Sequence, residues 1–359
     1  MNIACTNCGR AYPETGTPYH CPHCGGLFED TNPVTWRGVD PPAAGIWRFG
    51  PSIGLERVTI TLGEGRTALV PARVMGRTVY FKCEYANPTG SFKDRGTAAL
   101  VSFLVARGVS AALEDSSGNA GASFAAYAAR AGLHPTVYLP ASASGVKRRQ
   151  IECYGAEIVL VDGPRSEASS SARAAADGGA AYASHAYLPH NIRGYATCAL
   201  EIWEELGQAP GTVVLPAGQG GLLLGVGNGF EALLQAGMIA RLPALVGVQA
   251  AACAPLFALF EMGAPGLGFV TEGETVAEGV RVRAPLRASS VLEIVTRSAG
   301  RFVAVPENKI LPGRDSLARL GFYVEPTSAL VWAAMEEVLS ELPEPVVVVL
   351  TGSGYKVGE

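Results

Sequence analysis

From about residue 78 the chain repeats one pattern: a short, β-branched apolar run followed by a segment of helical periodicity. "TVYFKCEY" precedes a helix opening at Ser91, "AALEDS" precedes an Ala-rich helix from Asn119 to Ala131, and "PTVYLP" precedes a helix through Lys147 to Tyr154 that leads to "EIVLVDG". A second series holds a helix near 194–206, "TVVLPAGQGG", a helix from Leu222 to Ala236, "LVGVQA", "FVAV", a helix near 328–340 and "PVVVVLTGSG". Strands alternating with helices predict an α/β fold on mainly parallel sheets. Two series predict two lobes with a cleft. In such sheets ligands bind beyond the carboxyl ends of strands, where a tight turn leads into a helix. Three glycine-bearing turns stand at such places: "SSGNAG" (116–121), "AGQGG" (217–221) and "TGSG" (351–354).

One lysine sits against expectation. In "EYANPTGSFKDRG" (84–96), Lys93 falls in the first turn of a helix for which Ser91 is the expected N-cap and Asp94 the partner in a capping box. Ala98, Leu100, Val101, Leu104 and Val105 supply its apolar face, and Gly108 ends it. A helix N-terminus favours anions, so a lysine there opposes the macrodipole. The conflict disappears if the amine is bonded to something and uncharged, which leaves the terminus able to face an anion.

Composition narrows the class. Net charge is −4 and 48% of residues are apolar, which suggests neither a nucleic-acid nor a membrane surface. No long apolar segment occurs, and "MNIACTNCGR" lacks the apolar core of a signal peptide, so a cytoplasmic protein is expected. Cys5, Cys8, Cys21 and Cys24 form C-x2-C-x12-C-x2-C, the pattern of a structural zinc ribbon with four thiolates on one ion; the alternative is two loop pairs without metal. His20 and His23 flank the second pair as neighbours, since four sulfurs already fill the shell. Residues 1–30 carry Arg10 against Glu14, Glu29 and Asp30, a negative balance that argues against phosphate binding by the ribbon. Cys83, Cys153, Cys198 and Cys253 read as small buried apolar groups. Residues 31–60 read as an irregular linker packed on the main body.

The turn at 217–221 offers backbone N–H groups at a helix start, either as an anion cradle or as ordinary strand–helix punctuation. It is neither a Walker sequence nor a dinucleotide fingerprint. Taken in order and spacing, "PTGSFKDRG", "SSGNAG", "GQGG" and "TGSGYK" resemble the active-site elements of fold-type II pyridoxal 5′-phosphate enzymes over nearly all of residues 60–359. The resemblance is closest to the threonine synthase branch of the tryptophan synthase β superfamily, which shares "SFKDRG", "EPTSA" (325–329) and, in some members, a cysteine-rich ribbon.

That resemblance implies two α/β lobes with the cofactor in the cleft: residues 31–85 with 189–359 as the large lobe, 86–188 as a small mobile lobe, and 1–30 as the ribbon. It implies that Lys93 carries the cofactor and then acts as general base, which answers the conflict at the helix start. Asn119 is expected at the ring oxygen O3′, and Gly218, Gln219, Gly220 and Gly221 around the cofactor phosphate. Ser116, Ser117 and the amides around Gly118 are expected to hold the substrate carboxylate, and Thr351 to face the pyridine nitrogen. A neutral hydroxyl there makes a weaker electron sink than a carboxylate would, so elimination and replacement at the β or γ carbon are favoured over transamination.

Two segments depart from the threonine synthase pattern. The phosphate loop reads "GQGG" rather than GNxGN, nearer to serine and threonine dehydratases, and "SHAYLPHNIRGYATCALEI" (184–202) replaces an Asn-Pro-x-Arg segment. Arg148, Arg149, Arg165, His185, His190 and Arg193 are each able to bind an anionic group or to sit solvated; His190 and Arg193 are the foremost candidates because their segment aligns with a substrate-facing one. Lys356 is a candidate near the cleft or a surface residue, and Glu325 a helix cap. Specificity is expected to depend on residues 184–200 and 141–150. The lead activity is conversion of O-phosphohomoserine and water to threonine and phosphate. The alternatives are a serine/threonine dehydratase, ammonia-lyase or other β/γ-replacement enzyme, and a non-catalytic cofactor-binding sensor whose ribbon binds partners. A homodimer, and no nucleic-acid or membrane partner, are the family-level expectations.

Overall fold

The computed structural model describes residues 3–31, 34–55, 59–143 and 145–357. Parts of the expected linker (32, 33 and 56–58) and Ser144 of the 141–150 segment lie outside the described residues. In chain order the first elements are β1 (Ile3–Cys5), β2 (Phe28–Asp30), α1 (Gly50–Ile53), β3 (Leu69–Val74), β4 (Arg77–Lys82) and α2 (Lys93–Ala106). Next come β5 (Ala111–Glu114), α3 (Asn119–Ala131), β6 (His134–Pro140), α4 (Val146–Cys153), β7 (Glu157–Val161), α5 (Arg165–Asp177), β8 (Ala181–Tyr182) and α6 (His190–Leu206). Then follow β9 (Thr212–Pro216), α7 (Gly221–Gln235), β10 (Ala244–Ala250), α8 (Pro255–Met262), α9 (Ala288–Arg297), β11 (Arg301–Val305), α10 (Glu307–Arg319), α11 (Pro326–Val338) and β12 (Val346–Val349).

Among the described residues these strands form three sheets. The largest has the order β11-β10-β9-β12-β4-β3 and is parallel except for the β3–β4 edge pair; the second, β7-β6-β5-β8, is parallel throughout; β1 and β2 pair antiparallel. The expected α/β architecture on parallel sheets is therefore present. Its cause is visible in the strands: β9 and β12, "TVVLP" and "VVVV", are buried at every position, as strands covered on both faces must be.

The chain divides into two compact units. Met1–Gly65, Lys93–Gly194 and Val357–Glu359 make the first, and Arg66–Phe92 with Tyr195–Lys356 the second. The second contains the six-stranded sheet and a core drawn from β4, β9–β12 and α11. At the end of β4 the fully buried Lys82 ammonium donates to Thr67 O at 2.6 Å and meets Glu205 at 2.5 Å and Glu201 at 3.1 Å, so the buried cation is compensated on every side.

The first unit contains the four-stranded sheet and the β1–β2 ribbon. Here α3 stops where Gly132 takes the left-handed conformation (φ 71°) and its N–H returns to Ala128 O and Ala129 O. The ribbon docks through aromatic contacts. Tyr12 meets the edges of Phe28 and Phe103, Tyr19 meets Tyr187 and Tyr182, and the Tyr19 hydroxyl donates to Asp177 at 2.8 Å. Arg107, just past α2, donates to Pro13 O at 2.8 Å.

Candidate active site

In the second unit, backbone hydrogen bonds join the segment before Lys93 to the "TGSG" turn after β12. Ser353 N–H donates to Gly90 O at 3.0 Å, Ser91 bridges Gly352, and Phe92 N–H donates to Thr351 O at 3.0 Å. The residue before the lysine is thus held directly on Thr351. Gly90 adopts φ +85°, and a Cβ there would lie 2.9 Å from Cδ of Lys356, whose buried ammonium donates to Thr89 O at 2.8 Å. Ser91 does not cap α2 as expected. Its backbone is engaged with Gly352, and its buried hydroxyl has no hydrogen-bond partner among the described residues.

Thr351 is positioned from both sides. Its N–H donates to the Ser328 hydroxyl at 2.9 Å and its carbonyl accepts from Phe92, while its own Oγ1 is buried without a partner among the described residues. Leaving a hydroxyl so costs about 1–3 kcal/mol unless a ligand atom meets it, an arrangement that fits a pyridine nitrogen. Ser328, expected merely to begin a helix, supports Thr351 from the first turn of α11; Glu325 precedes that helix and makes no side-chain capping bond.

The turn between β9 and α7 is shaped by absence of side chains. Gly220 has φ +78°, and a Cβ there would lie 2.6 Å from Cγ2 of Val291; at Gly218 it would lie 2.9 Å from Gly279 O. The Gln219 side chain accepts Leu286 N–H at 3.0 Å, so it pins a neighbouring loop. What the turn presents is backbone at the start of a 15-residue helix without charged residues in its first turn, a fit for a phosphate dianion.

In the first unit the corresponding turn follows β5. Gly118 N–H donates to Ser116 Oγ at 3.2 Å, and a Cβ on Gly121 would lie 1.8 Å from Ser116 O, so α3 begins in direct contact with the turn. Asn119 is the first residue of α3, and half-buried Lys93 the first of α2. The two helices are coupled by the Ser123 hydroxyl, which donates to the buried Asp94 carboxylate at 2.6 Å.

The same turn is surrounded by ionisable groups. The buried Glu114 carboxyl accepts the Ser116 N–H through Oε2 and lies 2.7 Å from His185 Nδ1 through Oε1. Burial pushes Glu114 up to about 7 against the opposing pull of the Ser116 amide, Lys93 and Arg165. Burial, with the positive charges of Lys93 and Arg165, pushes His185 well below its ordinary value. Next to Glu114, Asp115 accepts from the hydroxyls of Ser169 and Tyr182, the latter at 2.8 Å.

Of the two foremost anion candidates, neither side chain stands open. His190 stacks on Phe103 with centroids 3.5 Å apart at 17° and meets the edge of Tyr12. Arg193 pairs with Asp30 of the ribbon and donates to Ile53 O at 2.8 Å. Arg148 pairs with Glu152 at 3.0 Å. The residue beside the turn is His185, which shares their segment but is distinguished from them only by tertiary structure.

The four ribbon sulfurs lie within 4.8 Å of one another, Cys5 and Cys21 buried, Cys8 and Cys24 exposed, so this set is able to hold one metal ion. Each pair closes alike: Gly9 N–H returns to Cys5 O at 2.9 Å and Gly25 N–H to Cys21 O at 2.8 Å, both glycines with φ 71°. None of the eight cysteines is joined in a disulfide; of the scattered four, Cys83, Cys198 and Cys253 are buried as expected, whereas Cys153 is exposed. No helix among the described residues is long and apolar enough to cross a membrane.

The profile of the pyridoxal-phosphate dependent enzyme family matches residues 60–352. The threonine synthase of Mycobacterium tuberculosis (strain ATCC 25618 / H37Rv) is 36% identical over 332 residues, covering 89% of each chain. That of Methanocaldococcus jannaschii is 31% identical over 373 residues, covering 98% of this chain and 92% of the other. Among solved structures, a threonine deaminase from T.th. superposes with a TM-score of 0.70 at 28% identity, covering 82% of this chain and 94% of that one. Maize serine racemase superposes with a TM-score of 0.70 at 22% identity over 82% and 89% of the two chains, a likeness of fold alone.

Proposed function

Because the chain belongs to the pyridoxal-phosphate-dependent enzymes and is threonine synthase-like along most of its length, we propose that it converts O-phospho-L-homoserine and water to L-threonine and phosphate. The observation that carries this reading is 36% identity to a threonine synthase over 89% of both chains. The lysine segment, both helix-start turns and an unpartnered buried Thr351 hydroxyl support the cofactor part of it.

When bound, pyridoxal 5′-phosphate supplies the electron sink that makes the substrate's α-proton removable. In the assignment we propose, the amides of Gly218–Gly221 bind its phosphate, Asn119 its O3′ oxygen, and the Thr351 hydroxyl its ring nitrogen. Lys93 tethers it and, once released, its amine takes and returns protons along the substrate's carbon chain as general base and acid. Ser116, Ser117 and the amides near Gly118 orient the substrate carboxylate. Glu114 fixes that turn through the Ser116 N–H. Arg193 and His190 have structural duties in this assignment: one salt-bridges the ribbon and the other fills the gap between Tyr12 and Phe103. The four cysteines hold a structural zinc, which a reducing cytoplasm would keep as thiolate ligands. Assembly as a homodimer is part of the proposal, and a sedimentation run giving only monomer would remove it.

A dehydratase acting on serine or threonine is the second reading, favoured by the "GQGG" loop and by the likeness to a threonine deaminase structure. The deciding experiment gives the cofactor-loaded protein O-phospho-L-homoserine and measures inorganic phosphate, threonine and ammonia together. Equal phosphate and threonine are expected. Ammonia from serine or threonine, with no phosphate release, would transfer the assignment to the second reading.

A further inference from the structure

His185 has no role in the reaction as assigned so far, yet with Glu114 it is built into the turn that begins at Ser116. One carboxyl oxygen of Glu114 accepts the Ser116 N–H; the other meets His185 Nδ1 at 2.7 Å. This contact fixes the imidazole by one nitrogen and leaves Nε2 without a hydrogen-bond partner among the described residues, on a side chain that is 17% exposed. A histidine placed only for packing would not require a buried carboxylate at its other nitrogen.

The chemistry of the pair follows from which atoms are joined. When the pair lacks its shared extra proton, Glu114 is a carboxylate accepting from Nδ1–H, and Nε2 carries a lone pair. When the pair holds it, either the carboxyl donates to Nδ1 or the imidazole is a cation, and in both forms Nε2 bears a hydrogen. One proton taken up from solvent therefore turns Nε2 from acceptor to donor. The groups that act on this equilibrium are Arg165 and, while its amine is free of the cofactor, Lys93, which oppose uptake, and the acid Asp115, which favours it; Tyr182 faces Asp115 as a neutral hydroxyl.

We propose that His185, oriented by Glu114, is a proton-linked contact for an anionic group of the amino-acid substrate: the pair gains one proton as the substrate docks beside Ser116, and Nε2 donates to the anion. The inference rests on the reading that the Ser116–Gly118 turn takes the substrate carboxylate. It makes His185 a specificity-determining residue and Glu114 a positioning residue that sets its tautomer.

The substitution E114Q tests this directly. Its carbonyl oxygen can still accept Ser116 N–H, while its amide donates to Nδ1 and holds Nε2 permanently as a donor. In the cofactor-loaded enzymes, the ratio of wild-type to E114Q KM is expected to rise with pH between 6 and 9, by up to about tenfold per pH unit once the pair has lost its proton. Titration of the substrate itself cancels in this ratio. A ratio independent of pH between 6 and 9 would overturn the proposal. A second readout needs no turnover: with five histidines in the chain, the His185 imidazole nitrogens can be assigned by their loss in H185Q. In the cofactor-loaded wild type, Nε2 is expected to lose its hydrogen as pH rises through neutrality; an unchanged tautomer over that range would overturn the proposal even if E114Q failed to fold. If S117A leaves KM unaltered, it is the carboxylate assignment that fails, and the imidazole titration still decides for or against the proton-linked pair.

Discussion

The two helix-start turns do the same structural job by opposite means. After β9, residues 217–221 offer backbone only: a left-handed Gly220 under Val291, Gly218 against a carbonyl, and a glutamine side chain directed to another loop. After β5, residues 116–121 offer hydroxyls and stand among Glu114, Asp115 and His185, with Lys93 near enough to act on two of them electrostatically. A ligand that never changes, such as a cofactor phosphate, can be met by fixed dipoles with no titrating side chain. A group that arrives and departs in every cycle is better met by side chains whose protonation can follow it. Difference in chemistry, more than in geometry, separates the turn proposed for the cofactor phosphate from the turn proposed for the substrate.

The largest expected effect tests whether Lys93 belongs to this contrast at all. K93A should lower phosphate release by about 10³-fold or more, because it removes the general base as well as the tether. It should also abolish the visible absorption band of the cofactor-loaded protein while leaving phosphate binding at residues 217–221 available. Residual turnover within tenfold of wild type would break the assignment of the lysine.

Much of this was legible in the residues alone, and the exceptions have physical causes. Asn119–Ala131 is bounded as expected, since alanine periodicity and Gly132 act locally. The helix expected near 194 instead begins at His190, because Tyr12, Phe103 and Asp30 hold His190 and Arg193 in its first turn. No sequence window contains those partners. Ser91 has the chemistry of a cap but is drawn into a bridge with Gly352, more than 250 residues away. The α10 helix holds Pro312 in its interior, and α5, "RSEASSSARAAAD", buries only Ala168 and Ala172, so neither advertised itself. Within 184–193 three residues could bind anions, and only the fold reveals that His185 meets Glu114 while Arg193 is paired with Asp30.

Removal of the proposed zinc should separate the two units. The ribbon packs on α2 and the start of α6, within the same unit as the Ser116 turn. Chelation, or C21S, should therefore lower the melting temperature by roughly 5–10 °C, as a loss of a few kcal/mol does in a domain of this size. Hydrogen exchange should quicken in α2 and α6 and stay unchanged in β9 and α7. Equal loosening of both would mean that the ribbon supports the whole chain.

The same substitution made in both turns gives the smaller and sharper test. G220A forces a side chain into the left-handed region and onto Val291, a strain of about 1–2 kcal/mol that should weaken cofactor binding by roughly 5- to 30-fold, measured by titrating the unloaded protein with pyridoxal 5′-phosphate.

Gly118 carries no such penalty. Its φ of −102° is open to alanine, and the added Cβ would meet only Ser116 Oγ at 3.7 Å, an ordinary contact. G118A should therefore bind cofactor as the wild type does and change KM by less than about threefold, since neither strain nor a clash moves the amides of the turn. A larger rise in KM, at unchanged cofactor affinity, would show that the substrate itself occupies the space above that Cα. The bare backbone would then be a requirement of both turns, imposed in one by the protein's own packing and in the other by the ligand.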